Sequence, residues 1–370
     1  MLSWKSLPFE QCVEPVAYTT KVQRKDFLAD GAYPIVSQED AFINGFWDNE
    51  PDVFRVERPI VVFGDHTRTL KYIDFDFVLG ADGVKILKPK LFLHPRFFFY
   101  QLHTAKLNSL GYARHYRLLK EHQVAFPAYA EQQRIVAILD EAFEAIATAK
   151  ANVEKSLQQI GELFEYAMHL LVEQPGVPIA HLPMADVCEI RSKLVDPREE
   201  PYLDQLHVGA ANIVSKTGEL VDVLTARQEQ LISGKFEFDD SMVLYSKIRP
   251  YLMKVVRPDF SGLCSADIYP LMPKPGVISR DFLYYTLLSS AFTDYAIKGS
   301  ARAGMPKVNR DHLFAYQMSL PPVEVQGQIT RKLDALADNV ESMQGIYARK
   351  LAALDELKKS LLHQAFSGQV

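Results

Sequence analysis

The sequence predicts an α+β protein with an internal repeat: two α/β globules, each followed by a long helix, the two helices pairing as an antiparallel coiled coil. Two observations predict it. Phe126-Pro127-x-x-x-x-Gln132-x-x-Ile135-x-x-x-Leu139-Asp140 recurs 194 residues later as Leu320-Pro321-x-x-x-x-Gln326-x-x-Ile329-x-x-x-Leu333-Asp334. Each copy then runs on with helical apolar spacing, and each follows a larger segment rich in β-branched and aromatic residues.

In chain order, the first globule is expected over residues 1–125, its helix over 126–175, the second globule over 176–319 and its helix over 320–370. The globules echo each other more faintly than the helices. Leu7-Pro8 answers to Leu182-Pro183, and the run Ile60-Val-Val-Phe63-Gly64 to Met242-Val-Leu-Tyr245-Ser246. Ala81-Asp82 returns as Ala266-Asp267, and Tyr100 and Leu102 return as Tyr285 and Leu287, both at an offset of 185. The second globule carries a longer insertion, so the halves are cousins and not copies.

In the helices the apolar steps alternate four and three, the 3.5-residue period of a coiled-coil seam. The expected interface is Ile135, Leu139, Ile146, Val153, Ile160 and Leu163 in the first copy. In the second it is Ile329, Leu333, Val340, Tyr347, Leu354 and Leu357. Pro127 and Pro321-Pro322 mark the starts, where proline costs no helical hydrogen bond. Pro175-Gly176 and Gly368 mark the ends. Gly327 and Gly345 fall inside the second helix and weaken it by up to about 1 kcal/mol each relative to alanine.

Composition narrows the function class. No apolar run reaches the roughly 18 residues of a membrane span, and the opening Met1-Leu-Ser-Trp-Lys-Ser-Leu-Pro8 has no apolar core of an export signal. The three cysteines are scattered, without Cys-x-x-Cys or Cys/His ligand spacing. A cytoplasmic chain with no metal site is expected. The net charge of −5 looks unsuited to nucleic acid, but it is uneven: residues 126–178 hold 3 Lys+Arg against 8 Asp+Glu, which alone gives −5. The globules are near neutral and leave room for local basic surfaces.

Catalytic signatures are missing. Gly299-Ser-Ala-Arg-Ala-Gly304 has the glycine spacing of a phosphate loop without the lysine that reaches the phosphates. There is no Gly-x-Ser-x-Gly, no His-Glu-x-x-His and no Asn-Pro-Pro-aromatic. A chain that recognises rather than catalyses is expected.

The recurrent chemistry lies in loops. In the first globule the strand-like Ile60–Phe63 opens into a loop with Arg68 and Lys71, and a later loop carries Arg114, His115 and Arg117. In the second, Met242–Tyr245 opens into a loop with Lys247, Arg249 and Lys254, and a later one carries Arg302, Lys307 and Arg310. Arginine and lysine can fork onto guanine O6 and N7 or neutralise phosphate, so these eleven residues are the candidate DNA contacts. Any one basic loop is commonly just solvated surface. Their repetition at matching places in both globules favours a ligand.

On these residues the chain resembles the specificity subunits of type I restriction-modification systems (HsdS). The family's helix-start pattern, Leu-Pro-Pro-Leu-x-Glu-Gln-x-x-Ile-Val, is approached by Phe126-Pro-Ala-Tyr-Ala-Glu-Gln-Gln-Arg-Ile-Val136 and by Leu320-Pro-Pro-Val-Glu-Val-Gln-Gly-Gln-Ile329. Leu361-Leu-His-Gln-Ala-Phe366-Ser-Gly368 resembles the family's usual end. Ala128 and Val325 depart from the pattern. The resemblance implies two target recognition domains, each reading half of a split double-stranded DNA site, with the coiled coil setting the gap. It implies two methyltransferase subunits as partners, methylating adenine with S-adenosylmethionine, and restriction subunits using ATP and Mg. This chain itself would hold no cofactor and span no membrane. Two rivals are a recognition subunit of a type IIB-like enzyme and a coiled-coil protein-binding scaffold without DNA.

Overall fold

The computed structural model describes residues 4–105, 107–108, 111, 113–172, 176–191, 193–300 and 305–367. The chain divides into two compact units. One comprises Met1–Glu154 with Ala348–Val370, the other Lys155–Tyr347. The division falls within both long helices, Tyr129–Val172 and Val323–Phe366, each of 44 residues. At 1.5 Å per residue, each is about 66 Å long. Neither Gly327 nor Gly345 interrupts the second helix.

In the first unit, Lys5–Pro8 pairs antiparallel with Gln123–Phe126, which tethers the globule's first residues to the strand that enters the helix. A four-stranded antiparallel sheet has the order Val13–Glu14, Val84–Pro89, Ile60–Gly64, Leu70–Ile73. A mixed sheet centres on Phe77–Gly80, which pairs parallel with Lys21–Val22 and Tyr33–Val36 and antiparallel with Val53–Phe54. The run Ile60–Phe63 is apolar at every position because its strand is buried on both faces. Val61 and Phe63 join the cluster of Phe9, Phe97, Phe98, Ile135 and Leu139, while Ile60 and Val62 face Phe77 and Leu79. The ends of both long helices meet here antiparallel. Lys150 pairs with Asp355, and Lys358 lies over the Phe143 ring at 5.1 Å. Ala365 is buried in the same cluster as Ile135, and Phe366 packs on Phe97 with centroids 5.1 Å apart.

The second unit repeats the plan. Ala180–Pro183 pairs with Gln317–Leu320. One antiparallel sheet runs Cys188–Ile190, Ile268–Pro273, Val243–Ser246, Val255–Val256. A five-stranded sheet runs Leu194–Val195, Lys235–Phe238, Gly262–Cys264, Leu206–Val208, Leu224–Thr225. The strand around Leu244 again serves two cores, with Val243 and Tyr245 on one side and Met242 and Leu244 on the other. Phe164, Met168 and Leu171 of the first helix join Ile329 and Leu333 of the second in its main cluster.

The seam departs from the expected heptads at one place in each copy. Ile135, Leu139, Ile146, Val153, Ile160, Ile329 and Leu333 are buried, and Val340, Tyr347 and Leu354 are half-buried. Leu163 is 59% exposed and Leu357, its repeat equivalent, 47% exposed. Both lie four heptads beyond the first seam residue. A straight α-helix drifts about 20° per heptad from a 3.5-residue period, so the buried stripe has rotated away by then. It continues through Phe164, Met168 and Leu171 in the first helix and through Leu361 and Ala365 in the second. The expected stops at Pro175 and Gly368 lie outside the described residues.

Candidate nucleic-acid interface

In the first unit the site grows from a β-hairpin. The strand Ile60–Gly64 reverses through Asp65–Thr67 into Leu70–Ile73. Arg68 N–H donates to Gly64 O at 2.8 Å, and Gly64 N–H donates to Thr69 O at 2.8 Å. A Cβ at position 64 would sit 2.3 Å from Thr67 Oγ1, so the tight turn needs glycine there. Arg68 closes the turn in the left-handed region, φ +64°, where a bulky L-residue is rare. Its guanidinium donates from Nη1 to Leu107 O at 3.0 Å.

Asp65 links this turn to the later basic loop. Its carbonyl accepts from His115 N–H at 2.8 Å, and its Oδ1 accepts from Tyr116 N–H at 2.8 Å. The two basic loops recognised separately in the sequence are therefore one surface, with Arg68, Arg114 and Arg117 exposed on it. His115 and Lys71 are not. His115 is buried, with Nδ1 3.1 Å from Asp65 O. Lys71, only 4% exposed, donates from Nζ to Ser37 O at 2.9 Å, Ala41 O at 2.5 Å and Asn44 Oδ1 at 3.2 Å. Burial lowers its pKa. It shares a strand face with buried Ile73, and its work is to fix the loop Ser37–Asn44 against the hairpin. Gln38 completes that attachment, its Oε1 accepting from His66 N–H at 3.1 Å and its carbonyl from Thr67 Oγ1 at 2.6 Å.

The second unit makes the same junction. Lys247, placed like Asp65 just after the central strand, accepts at its carbonyl from Val308 N–H at 2.8 Å. Ile248 and Lys307 form an antiparallel bridge, and Arg249 N–H donates to Pro306 O at 2.9 Å. Arg249, like Arg68, is left-handed, at φ +50°. Arg249 and Arg310 are exposed. Lys307 is partly exposed, with Nζ 3.5 Å from Asp267 Oδ1. Lys247 lies half-buried over the Tyr269 ring at 5.0 Å. Burial, then nearby Lys307, lowers its pKa. Lys254 is turned inward, donating from Nζ to Ala210 O at 2.5 Å, and is a brace rather than an exposed contact. Arg302 lies outside the described residues. Among the described residues, no ion pair engages the exposed Arg114, Arg117, Arg249 or Arg310.

Sequence reasoning missed the joint between each globule and the start of its helix. Gln132 is fully buried at the start of the first helix. It donates from Nε2 to Phe92 O and Pro127 O, both at 3.0 Å, and accepts at Oε1 from His94 N–H at 2.8 Å. Gln326 does the same with Val277 O at 3.0 Å, Pro321 O at 2.9 Å and Ser279 N–H at 2.8 Å. Two turns on, Asp140 accepts from Tyr100 OH and pairs with Arg96 at 3.2 Å. Asp334 accepts from Tyr285 OH at 2.6 Å and pairs with Arg257 at 2.5 Å. The signal was present, since Gln, Asp and Tyr recur in the repeat. Identical polar residues on an apolar-periodic helix mark groups satisfied by the globule they pack against, buried for Gln132 and Gln326 and half-buried for Asp140 and Asp334.

Among the described residues, no cluster of three or more His, Cys, Asp or Glu side chains could hold a metal ion, and no helix is long and apolar enough to cross a membrane.

Residues 182–349 match the family of the type I restriction modification DNA specificity domain. Over 200 residues the chain is 33% identical to the type I restriction enzyme EcoDI specificity subunit of Escherichia coli, covering 54% of this chain and 44% of that protein. The match thus spans less than half the length of that relative. A solved structure described as the basis of complex assembly and conformational transition of the type I R-M system superposes with a TM-score of 0.72. It shares 15% identity and is covered in full, as is this chain. The HsdS subunit from Thermoanaerobacter tengcongensis gives 0.52 at 16% identity over 99% of this chain and 97% of that one. At such identities the likeness concerns the fold, and it is the α+β fold of two globules and two long helices expected above.

Proposed function

We propose that the chain is a DNA specificity protein of the type I restriction-modification kind and that it reads a two-part double-stranded DNA site. Each unit would read one half, through the hairpin and basic loop that Asp65 and Lys247 hold together. The observation that carries this reading is the duplication: the same strand, left-handed arginine and cationic edge are built twice from divergent sequence. Two different half-sites follow from two different surfaces. The exposed arginines would supply phosphate contacts and bidentate guanine contacts.

The chemistry would lie in partners. Two methyltransferase subunits, one per repeat, would flip and methylate an adenine with S-adenosylmethionine, and restriction subunits would use ATP and Mg. This chain would contribute no catalytic group and bind none of those cofactors. It would orient the partners and set the gap through its helices. The test is to sequence the methylated bases in a host carrying this chain with its methyltransferase partner, and to measure full-chain binding to duplex DNA at rising salt. The expected result is a bipartite motif with an unread gap, and affinity that falls steeply with salt. A continuous motif, or binding indifferent to salt, would sink the reading.

A further inference from the structure

We propose that Tyr251 and Met305 form an apolar pad in the second unit that packs on the C5 edge of a pyrimidine, above all the thymine methyl group, in the major groove. The inference rests on the DNA-reading role proposed above and names a contact that charge cannot supply. Tyr251 is 50% exposed and Met305 51% exposed, both large and apolar. They stand in the two segments that the Ile248–Lys307 bridge joins. Beyond the bridge, Arg249 N–H donates to Pro306 O at 2.9 Å, which joins the residue two before Tyr251 to the neighbour of Met305.

The backbone holds Tyr251 in place. Pro250–Leu252 is one 3₁₀ turn, with Arg249 at φ +50° before it and Met253 at φ +49° after it. Two consecutive boundaries in the left-handed region are sterically disfavoured for such side chains and persist only where the surroundings enforce them. Here Arg249 N–H donates to Pro306 O at 2.9 Å, Met253 N–H to Pro250 O at 2.9 Å, and Lys216 N–H to Met253 O at 3.1 Å. Pro250 is buried beneath, so the turn presents its tyrosine outward. Cations share this junction: Arg249 opens the turn, and Lys307 and Arg310 lie near Lys247. Cations anchor phosphate but carry no base identity, whereas the thymine methyl is an apolar feature of the major groove that side chains can read. A two-residue pad is too small to hold a protein partner by itself.

The experiment selects from a random duplex library with the full chain and its Tyr251→Ala, Tyr251→Phe, Met305→Ala and Arg249→Ala variants, then measures affinity for the winning duplex at two salt concentrations. Tyr251→Ala and Met305→Ala should each weaken binding to that duplex about tenfold, the scale of one lost base contact. They should erase a thymine preference in one half of the motif only and leave the salt slope unchanged. Tyr251→Phe should keep the motif, and Arg249→Ala should lower the salt slope. Uracil in place of that thymine should cost the parent chain as much as Tyr251→Ala does and cost that variant nothing more. A motif unaltered in both alanine variants, with parent binding intact, overturns the pad and leaves the DNA-reading role standing. A parent chain that selects no duplex overturns both.

Discussion

Gln132 and Gln326 show how a single side chain fixes an element. Each amide serves two carbonyls and one N–H in a place water does not reach. Gln132→Leu or Gln326→Leu keeps the bulk and strands those three backbone groups, so each should cost about 2–4 kcal/mol in urea unfolding of the full chain. A change under about 0.5 kcal/mol would show that neither amide anchors its helix. A second expectation concerns acid. His207 is buried, with Nδ1 3.0 Å from Glu229 Oε2, and burial lowers its pKa from 6.5 with Glu229 opposing. The unfolded imidazole takes up its proton near 6.5, the folded one only at lower pH. Protons therefore favour unfolding between the two, and stability should fall as pH drops below 6.5. His207→Gln should flatten that limb of a melting-temperature profile, and an unchanged limb would refute it. Residue type was legible in the sequence, but direction was not. Lys71 and His115 read as loop cations, yet strand alternation turns Lys71 to the side of Ile73, and the contact with Asp65 buries His115.

For the long helices, existence, type and starts were legible, because proline, periodicity and repeat agree. The seam was legible only for about four heptads. A fixed 3.5-residue period cannot show when a real helix has turned its stripe elsewhere, so Leu163 and Leu357 were misplaced together. The paired test is Leu139→Asp against Leu163→Asp. The first buries a charge in the cluster with Ile135 and Phe97 and should cost about 3–5 kcal/mol. The second changes an exposed face and should stay within about 0.5 kcal/mol. Equal melting temperatures for the two variants would contradict the rotated stripe. The strands around Phe63 and Tyr245 were legible as apolar runs, but their service to two cores was not, since a run bounded by turns reads alike in a strand or a helix segment.

At the scale of the molecule, the repeat was legible and the ownership of its parts was not. The sequence suggests four successive segments. The contacts instead give each unit the start of its own following helix and the end of the other. Removing residues 348–370 should therefore loosen the first unit, which loses Leu361, Leu362, Ala365 and Phe366 from its core, while the second keeps its full set of internal contacts. Hydrogen exchange should rise across the strands of residues 5–126 and stay low across those of 180–320. The opposite pattern would refute this assignment.

That ownership also bears on the order in which the chain acquires structure during synthesis. The second unit is one continuous stretch, Lys155–Tyr347, while the first needs residues from both ends of the chain. On a ribosome, where the chain emerges at about 5–20 residues per second, the unit made second has all of its parts first. The unit made first must wait, with Phe97 and its neighbours lacking their last partners, until the final turns of the second helix arrive. Closing it spans more than two hundred residues, and long-range closure of this kind slows folding. Synthesis from the amino end thus leaves the amino-terminal unit to be completed last.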